Sequence, residues 1–181
     1  MNWILSLIFQ LSGWKVVGKL PDLRKYVVVV APHTSSWDFI IGVLARSYLK
    51  MNNARFLGKK ELFDGPFGWF FRGLGGYGVD RKSAHNMVDQ VVDAFNAHED
   101  FVLALAPEGT RKKVDKLRTG FYYMALGAGV PIQPIGMDFG TKSIVIGKLL
   151  MPSGNLEADM KVIVSFFSGI QGKNPDLGIS F

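Results

Sequence analysis

The chain has 181 residues, no cysteine and a formal net charge of +6. The lack of cysteine excludes disulfides, thiol nucleophiles and thiolate metal sites, and the length suits a single domain. A hydrophobic content of 48% is high for a soluble domain, and the positive charge indicates an anionic partner such as a lipid, a phosphorylated metabolite or a nucleic acid.

Residues 1–14 form an apolar segment that carries Trp3, Phe9 and Trp14 and precedes the first charged residue, Lys15. The segment is shorter than the ~20 apolar residues of a membrane-spanning helix, and it lacks the basic start and cleavage site of a signal peptide. It is either a helix lying in the membrane interface or a terminal helix packed on the core. We favour the first interpretation, which predicts a peripheral membrane protein on the cytoplasmic face.

Along the rest of the chain, short apolar runs alternate with helical patterns. This alternation predicts an α/β fold, with residues 1–181 forming one domain around a largely parallel twisted sheet flanked by helices. The predicted strands are Lys15–Leu20, Tyr26–Ala31, Ala54–Leu57, Gly76–Val79, Phe101–Ala106, Pro131–Ile135, Ser143–Ile146 and Lys161–Phe166. The predicted helices, each after a capping or turn residue, are Trp37–Lys50 after Ser36, Ala84–Ala97 after Ser83 and Gly120–Leu126 after Thr119.

The first polar cluster, His33 to Asp38, directly follows a predicted buried strand. Open α/β sheets bind their ligands at this position. A turn followed by a helix start would bring the Asp38 carboxylate to Nδ1 of His33 and leave Nε2 free to act as a general base. The alternative is purely structural, because an acidic residue in the first turn of a helix is favoured by the helix dipole.

Three further clusters contain glycine, proline or cationic residues. The run from Pro107 to Lys113 also follows a buried strand, and within it Gly109 permits a tight turn while Arg111 suits a phosphate. Gly75 to Lys82 is a second glycine-rich run ending in cations, and Val130 to Ile135 is an apolar run with two prolines. Taken singly, each of these clusters also fits an ordinary turn or core strand.

Taken together and in this order, the clusters resemble the glycerolipid acyltransferase family, which includes lysophosphatidate and glycerol-3-phosphate acyltransferases. The resemblance is carried by four blocks between about residues 26 and 136, namely His33-x4-Asp38, Gly76-Tyr77-Gly78-Val79-Asp80-Arg81, Pro107-Glu108-Gly109-Thr110-Arg111 and Val130-Pro131-Ile132-Gln133-Pro134. Gly78 stands where the family usually has an aromatic residue, a departure that concerns the shape of the acceptor pocket.

The resemblance implies a glycerol-3-phosphate acyltransferase-like fold and a catalytic pair formed by His33 and Asp38. It assigns acceptor binding to Arg81, Glu108, Gly109, Thr110 and Arg111. The implied reaction moves a fatty acyl group from acyl-CoA or acyl carrier protein, as co-substrate, to a lyso-lipid hydroxyl. The acceptor that the resemblance favours is 1-acylglycerol-3-phosphate, which would give phosphatidate. We expect no metal and no cofactor.

Other features bear on the partners. The aromatic run from Pro66 to Phe71, beside Arg72, is typical of a membrane interface or a chain-binding groove. Cations that could meet anionic headgroups or a carrier protein are Lys59, Lys60, Lys112, Lys113, Lys116 and Arg118. The alternatives are a different lyso-lipid acceptor, such as an amino-acid lipid, and a lipid-binding module without catalysis. We expect no nucleic-acid partner, because no recognised nucleic-acid-binding module is visible.

Overall fold

The structure is a computed structural model that describes residues 2–79 and 87–178. Its helices are α1 (Asn2–Leu11), α2 (Trp37–Tyr48), α3 (Lys60–Asp64), α4 (Gly68–Gly73), α5 (Met87–Ala97), α6 (Gly120–Ala128) and α7 (Leu156–Phe167). Its strands are β1 (Lys15–Val17), β2 (Lys25–Ala31), β3 (Ala54–Lys59), β4 (Gly76–Val79), β5 (Phe101–Leu105), β6 (Ile132–Asp138) and β7 (Ser143–Ile146).

The strands form one seven-stranded sheet in the order β1-β7-β6-β2-β5-β3-β4. Every neighbouring pair is parallel except β6 and β7, which are antiparallel. Strand β2 lies in the middle, where both faces are covered, and this explains its unbroken apolar run. The prediction of a single α/β unit with a mostly parallel sheet is confirmed.

Helices cover both faces of the sheet. On one face α1 and α2 pack around Val28, whereas on the other α5, α6 and α7 pack around Val27 and Val29. Because neighbouring positions on β2 point to opposite faces, each valine serves one of the two core clusters. The carboxyl ends of β2 and β5 lie side by side, since these two strands are paired in parallel.

One predicted strand is wrong, because Lys161–Phe166 lies inside helix α7. The N-cap residue of this helix is Asn155, whose side chain accepts a hydrogen bond of 3.1 Å from the amide of Ala158. The buried residues Ile163 and Phe167 are four positions apart and share the face that packs on the core. The apolar residues of this run fit the spacing of a strand when taken alone. They belong to a longer helix, because the capped start of that helix lies six residues before Lys161.

Other boundaries also differ from the predictions. Strand β1 ends at Val17 because Gly18 turns the chain with a φ of +96°, whereas the sequence suggested a strand to Leu20. The short helices α3 and α4 were not predicted. Helix α5 begins at Met87 among the described residues, and the predicted start of this helix, including Ser83, lies outside them.

Helix α1 packs against α2 and also presents apolar side chains to the outside. Phe9 is fully buried and stacks on Tyr48, with ring centroids 4.8 Å apart. Trp3, Leu7 and Leu11 are 70%, 45% and 78% exposed. Both features proposed for this segment, core packing and an exposed apolar face, are thus present together. None of the helices among the described residues combines the length and apolarity needed to cross a membrane.

Candidate active site

The turn after β2 places His33 against Asp38. The Nδ1 atom of His33 lies 3.1 Å from Oδ2 of Asp38, and the side chains are 26% and 2% exposed. The same oxygen accepts hydrogen bonds from the amides of Thr34 and Ser35, at 2.7 and 2.8 Å. The carboxylate is therefore fixed by the turn that precedes its helix, and it holds the imidazole by Nδ1, which leaves Nε2 as the other reactive nitrogen.

Glu108 reaches the same turn from the end of β5. Its Oε1 accepts a hydrogen bond of 2.8 Å from the backbone amide of His33, and the residue is 1% exposed. Burial raises the pKa of the Glu108 carboxyl, the nearby Asp38 raises it further, and the hydrogen bond from His33 lowers it. The carboxyl thus holds the backbone of the histidine from behind.

A cavity of about 880 Å³ opens at His33 and extends beneath helix α2. Its walls are largely apolar and come from α2 and from the strands that α2 covers, including Val28, Gly42, Ala45, Ala54, Ala104, Ile135 and Met137. Several of these positions carry no more than a methyl group, so the space between helix and sheet is not filled by side chains. The pocket therefore joins a histidine to a largely apolar cleft.

Cationic and small residues of the 107–118 loop lie at the cavity beside His33. Gly109, Thr110, Arg111 and Arg118 all line it. Gly109 has a φ of +65°, and a Cβ atom there would come within 2.7 Å of the Arg118 guanidinium, so glycine is required for both the turn and this close approach. The loop thus brings two arginines to the same opening.

Arg111 also links this loop to the start of α2. It donates a hydrogen bond of 2.9 Å to the hydroxyl of Ser36. Ser36 occupies the N-cap position, yet neither it nor Thr119 at the start of α6 makes the side-chain capping bond that the sequence suggested. The serine hydroxyl instead accepts a hydrogen bond from the arginine.

The structure brings together six of the seven residues singled out in the sequence. His33, Asp38, Gly109, Thr110 and Arg111 line the cavity, and Glu108 supports the turn from behind. Arg81 lies outside the described residues, so its place relative to the cavity is not defined.

Two regions named in the sequence lie near this site or on the surface. Ile135, the last residue of the apolar run that begins at Val130, is part of the cavity wall. In the aromatic run, Phe67, Trp69 and Phe70 are 67%, 72% and 48% exposed, as the prediction of a surface patch requires.

Arg118 is a residue that sequence reasoning did not assign to the site. It was noted only as one of several cations, because its contact with Gly109 depends on the path of the loop between them. A hydrogen bond of 2.8 Å from its amide to the carbonyl of Pro107 closes that loop. A cation just before the start of α6 was the one available signal.

Comparisons with known proteins identify the family to which the chain is similar. The family model described as Acyltransferase matches residues 15–138. A 1-acyl-sn-glycerol-3-phosphate acyltransferase of Haemophilus influenzae is 29% identical over 138 residues, which cover 71% of this chain and 55% of that protein. The proteins of the same name from Streptococcus pneumoniae and Escherichia coli are 27% and 29% identical, with coverages of 73% and 50%, and of 77% and 59%.

A solved structure shares the fold. The crystal structure of the 1-acyl-sn-glycerophosphate (LPA) acyltransferase PlsC from Thermotoga maritima superimposes with a TM-score of 0.61 and 17% identity, covering 95% of this chain and 81% of that one. The chain spans between 50% and 59% of the length of the three relatives named above. Since the family model covers most of the sheet and all of the His33–Asp38 turn, the chain belongs to the acyltransferase family.

Proposed function

We propose that this protein transfers a fatty acyl group from a thioester to the hydroxyl of a lyso-lipid, with 1-acylglycerol-3-phosphate as the acceptor and phosphatidate as the product. The observation that carries the proposal is the His33–Asp38 pair in a largely apolar cavity that is lined, on the side of the 107–118 loop, by Arg111 and Arg118. The reaction needs a proton acceptor for the hydroxyl, an apolar space for the acyl chain and cationic side chains for the acceptor phosphate, and the cavity has all three.

The reaction proceeds by direct transfer, without an acyl-enzyme. Nε2 of His33 accepts the proton of the acceptor hydroxyl while its oxygen attacks the carbonyl carbon of the thioester. Asp38 stabilises the imidazolium that forms, through its contact of 3.1 Å with Nδ1. When the carbon–sulfur bond breaks, the imidazolium returns the proton to the leaving thiolate, so that the products are an ester and a thiol.

The apolar cavity suits the acyl chain of acyl-CoA or acyl carrier protein. Apart from His33, Asp38, the residues of the 107–118 loop, Arg46 of α2 and Arg55 of β3, its lining is mostly hydrocarbon, and it includes the histidine that would meet the thioester. Gly42 faces it from α2, where a Cβ atom would lie 3.2 Å from the terminal methyl of Met137. Burying a hydrocarbon chain here contributes about 0.8 kcal/mol per methylene.

The cationic side chains suit the acceptor phosphate. Arg111 and Arg118 reach the cavity from one loop, and charge-assisted bonds to phosphate are among the stronger hydrogen bonds in proteins. The family resemblance implies that Arg81 and Thr110 also bind the acceptor. Glu108 acts on the backbone of His33 in this proposal, and not directly on the acceptor.

We also propose that the protein works as a peripheral protein on the cytoplasmic face of a membrane. Both the product and the acceptor are lipids, and α1 exposes Trp3, Leu7 and Leu11. Tryptophan favours the headgroup region, and exposed apolar side chains on one helix favour binding in the interface.

The test is release of free thiol from acyl-CoA in the presence of a panel of lyso-lipids, with 1-acylglycerol-3-phosphate among them. We expect His33→Ala to lower kcat at least ~10²-fold, because a general base contributes that much or more. We expect Arg111→Ala to raise KM for the phosphorylated acceptor. The matched controls are His98→Ala, whose ring bonds the carbonyl of Ala94, and Arg24→Ala, an exposed arginine.

Each alternative gives a different result in the same assay. If His33→Ala binds lipid as well as wild type and neither releases thiol, the protein is a lipid-binding module without catalysis. If thiol release requires an amino-acid lyso-lipid and Arg111→Ala has no effect, the acceptor is not phosphorylated. An acyl carrier protein as the donor, in place of acyl-CoA, distinguishes the two carriers.

A further inference from the structure

The turn that carries His33 is covered on a second side by residues 171–178, which we call the strap. The strap follows α7 and has no helix or strand of its own. It is attached at one end by a hydrogen bond of 2.8 Å from the amide of Phe139 to the carbonyl of Gln171, and at the other by one of 2.8 Å from the amide of Val114 to the carbonyl of Gly178. It thus joins the end of β6 to the 107–118 loop across the turn.

Within the strap, Asn174 makes two hydrogen bonds to Thr34. Its side-chain amide donates to the carbonyl of Thr34 at 2.8 Å, and its backbone amide donates to the Thr34 hydroxyl at 3.1 Å. Thr34 is 2% exposed and directly follows the histidine in the turn that leads to the helix holding Asp38. Its own amide already donates to Asp38, so the residue is held from both sides.

The strap fits closely on the turn. A Cβ atom at Gly172 would lie 2.9 Å from the side chain of Thr34, and one at Gly178 would lie 3.1 Å from it. Only residues without a side chain let the strap approach this closely. Beside them, the Lys173 ammonium lies 4.4 Å from the centre of the Trp37 ring, which attaches the strap to the first residue of α2 as well.

We propose that Asn174 is a positioning residue for acyl transfer: by holding Thr34 it fixes the distance and angle between the His33 imidazole and Asp38. The proposal rests on the function proposed above. It follows from the contacts, because Thr34 lies between the two groups in the chain, and moving its carbonyl rotates the Thr34–Ser35 peptide, whose N–H donates to Asp38. Misplacing a catalytic group by about 1 Å can lower a rate ~10²-fold.

The decisive variant is Asn174→Asp, which keeps the shape of the side chain but replaces the amide donor with an acceptor facing the Thr34 carbonyl. The matched control is Asn155→Asp, because the Asn155 side chain acts as an acceptor at the start of α7 and aspartate preserves that bond. We expect Asn174→Asp to lower kcat by about tenfold or more with KM nearly unchanged, and Asn155→Asp to leave both parameters unchanged.

A spectroscopic measurement separates positioning from a general loss of stability. In protein with isotope-labelled histidine, the Nδ1 proton of His33 should give a resolved, protected NMR signal in the wild type, because it bonds to a buried carboxylate. We expect this signal to broaden or disappear in Asn174→Asp, while the signals of the other histidines keep the positions they have in the folded wild type. The signal should persist in Asn155→Asp.

A second pair of variants changes Thr34, the residue to which Asn174 is bonded. Thr34→Val removes the hydroxyl that accepts the Asn174 amide, and Thr34→Ser keeps it, so serine should restore the kcat and the NMR signal that valine loses. Unchanged kcat and an unchanged signal in both Asn174→Asp and Thr34→Val would overturn the proposal. If the wild type itself transfers no acyl group, the proposed function fails, and the NMR signal still decides whether Asn174 orders the turn.

Discussion

Glu108 carries a carboxyl group in a position where ionisation is unfavourable. The residue is buried, and only one of its oxygens is bonded within the described structure, to the amide of His33. Burial is the main cause that raises its pKa, and the negative Asp38 nearby acts in the same direction. The folded chain therefore keeps a proton on Glu108 at pH values where the unfolded chain has lost it.

We expect Glu108→Gln to change how stability depends on pH. Because the folded pKa is raised, the contribution of the Glu108 proton is complete below the ordinary value of 4.5 and is lost as pH rises through the folded pKa. Urea unfolding over a pH series should show the wild type losing stability relative to Glu108→Gln above that value, by at most about 1.4 kcal/mol per pH unit. Parallel curves for the two proteins would mean that the carboxyl ionises freely.

The sequence was sufficient for the part of the site that is local in the chain. His33 and Asp38 are five positions apart, so one turn and one helix start determine their contact. The bond from Glu108 spans 75 positions and those from Asn174 span 140. The first follows from two adjacent parallel strands, which a pattern of polar residues after strands does predict. The second depends on a segment without regular structure, for which no pattern exists.

At the scale of elements, the glycines of β4 are explained by helix α3. Phe63 is 4% exposed and lies over the strand, so a Cβ atom at Gly76 would come within 2.3 Å of its ring and one at Gly78 within 3.0 Å. A phenylalanine from the helix thus fills the space beside Gly78, the glycine singled out in the sequence analysis. The short helices α3 and α4 were not predicted, so this contact could not be foreseen.

We expect Gly78→Ala to lower the free energy of unfolding by about 1–3 kcal/mol, because the added methyl group overpacks the contact with Phe63. The loss should shrink when Phe63→Ala is introduced in the same chain, and the double-mutant cycle measures this coupling. Gly73→Ala is the matched control, since a Cβ there meets no atom within 4 Å. Equal losses with and without Phe63 would show that strand geometry, and not the phenylalanine, requires glycine.

On the scale of the whole molecule, exposed apolar side chains occur on both faces of the sheet, and α1 carries several of them. Helix α1 exposes Trp3, Leu7 and Leu11, and α2, which packs against it, exposes Trp37 and Ile40. Both helices cover the same face of the sheet, and the cavity lies between that face and α2. The helices on the opposite face enclose the other core cluster and also expose apolar side chains, among them Tyr123 on α6 and Val162 on α7.

We expect Leu11→Glu to weaken binding to vesicles of anionic phospholipid by at least about tenfold, because burial of one leucine contributes ~1.5–3 kcal/mol. The melting temperature should change little, since the side chain is 78% exposed. Val162→Glu is the matched control, because Val162 is 56% exposed on α7, across the sheet. Equal binding of both variants to the vesicles, measured by co-sedimentation, would contradict a membrane-facing α1.

The bond from Glu108 ends on the main-chain amide of residue 33 and not on the imidazole. Asp38 likewise keeps two amide donors, from Thr34 and Ser35, whatever side chain precedes them. Replacing the side chain of residue 33 should therefore remove the imidazole without breaking the hydrogen bonds that hold the turn. A chain without the imidazole should therefore fold and keep its cavity without catalysing transfer, so that binding of the two proposed reactants could be measured in the absence of reaction.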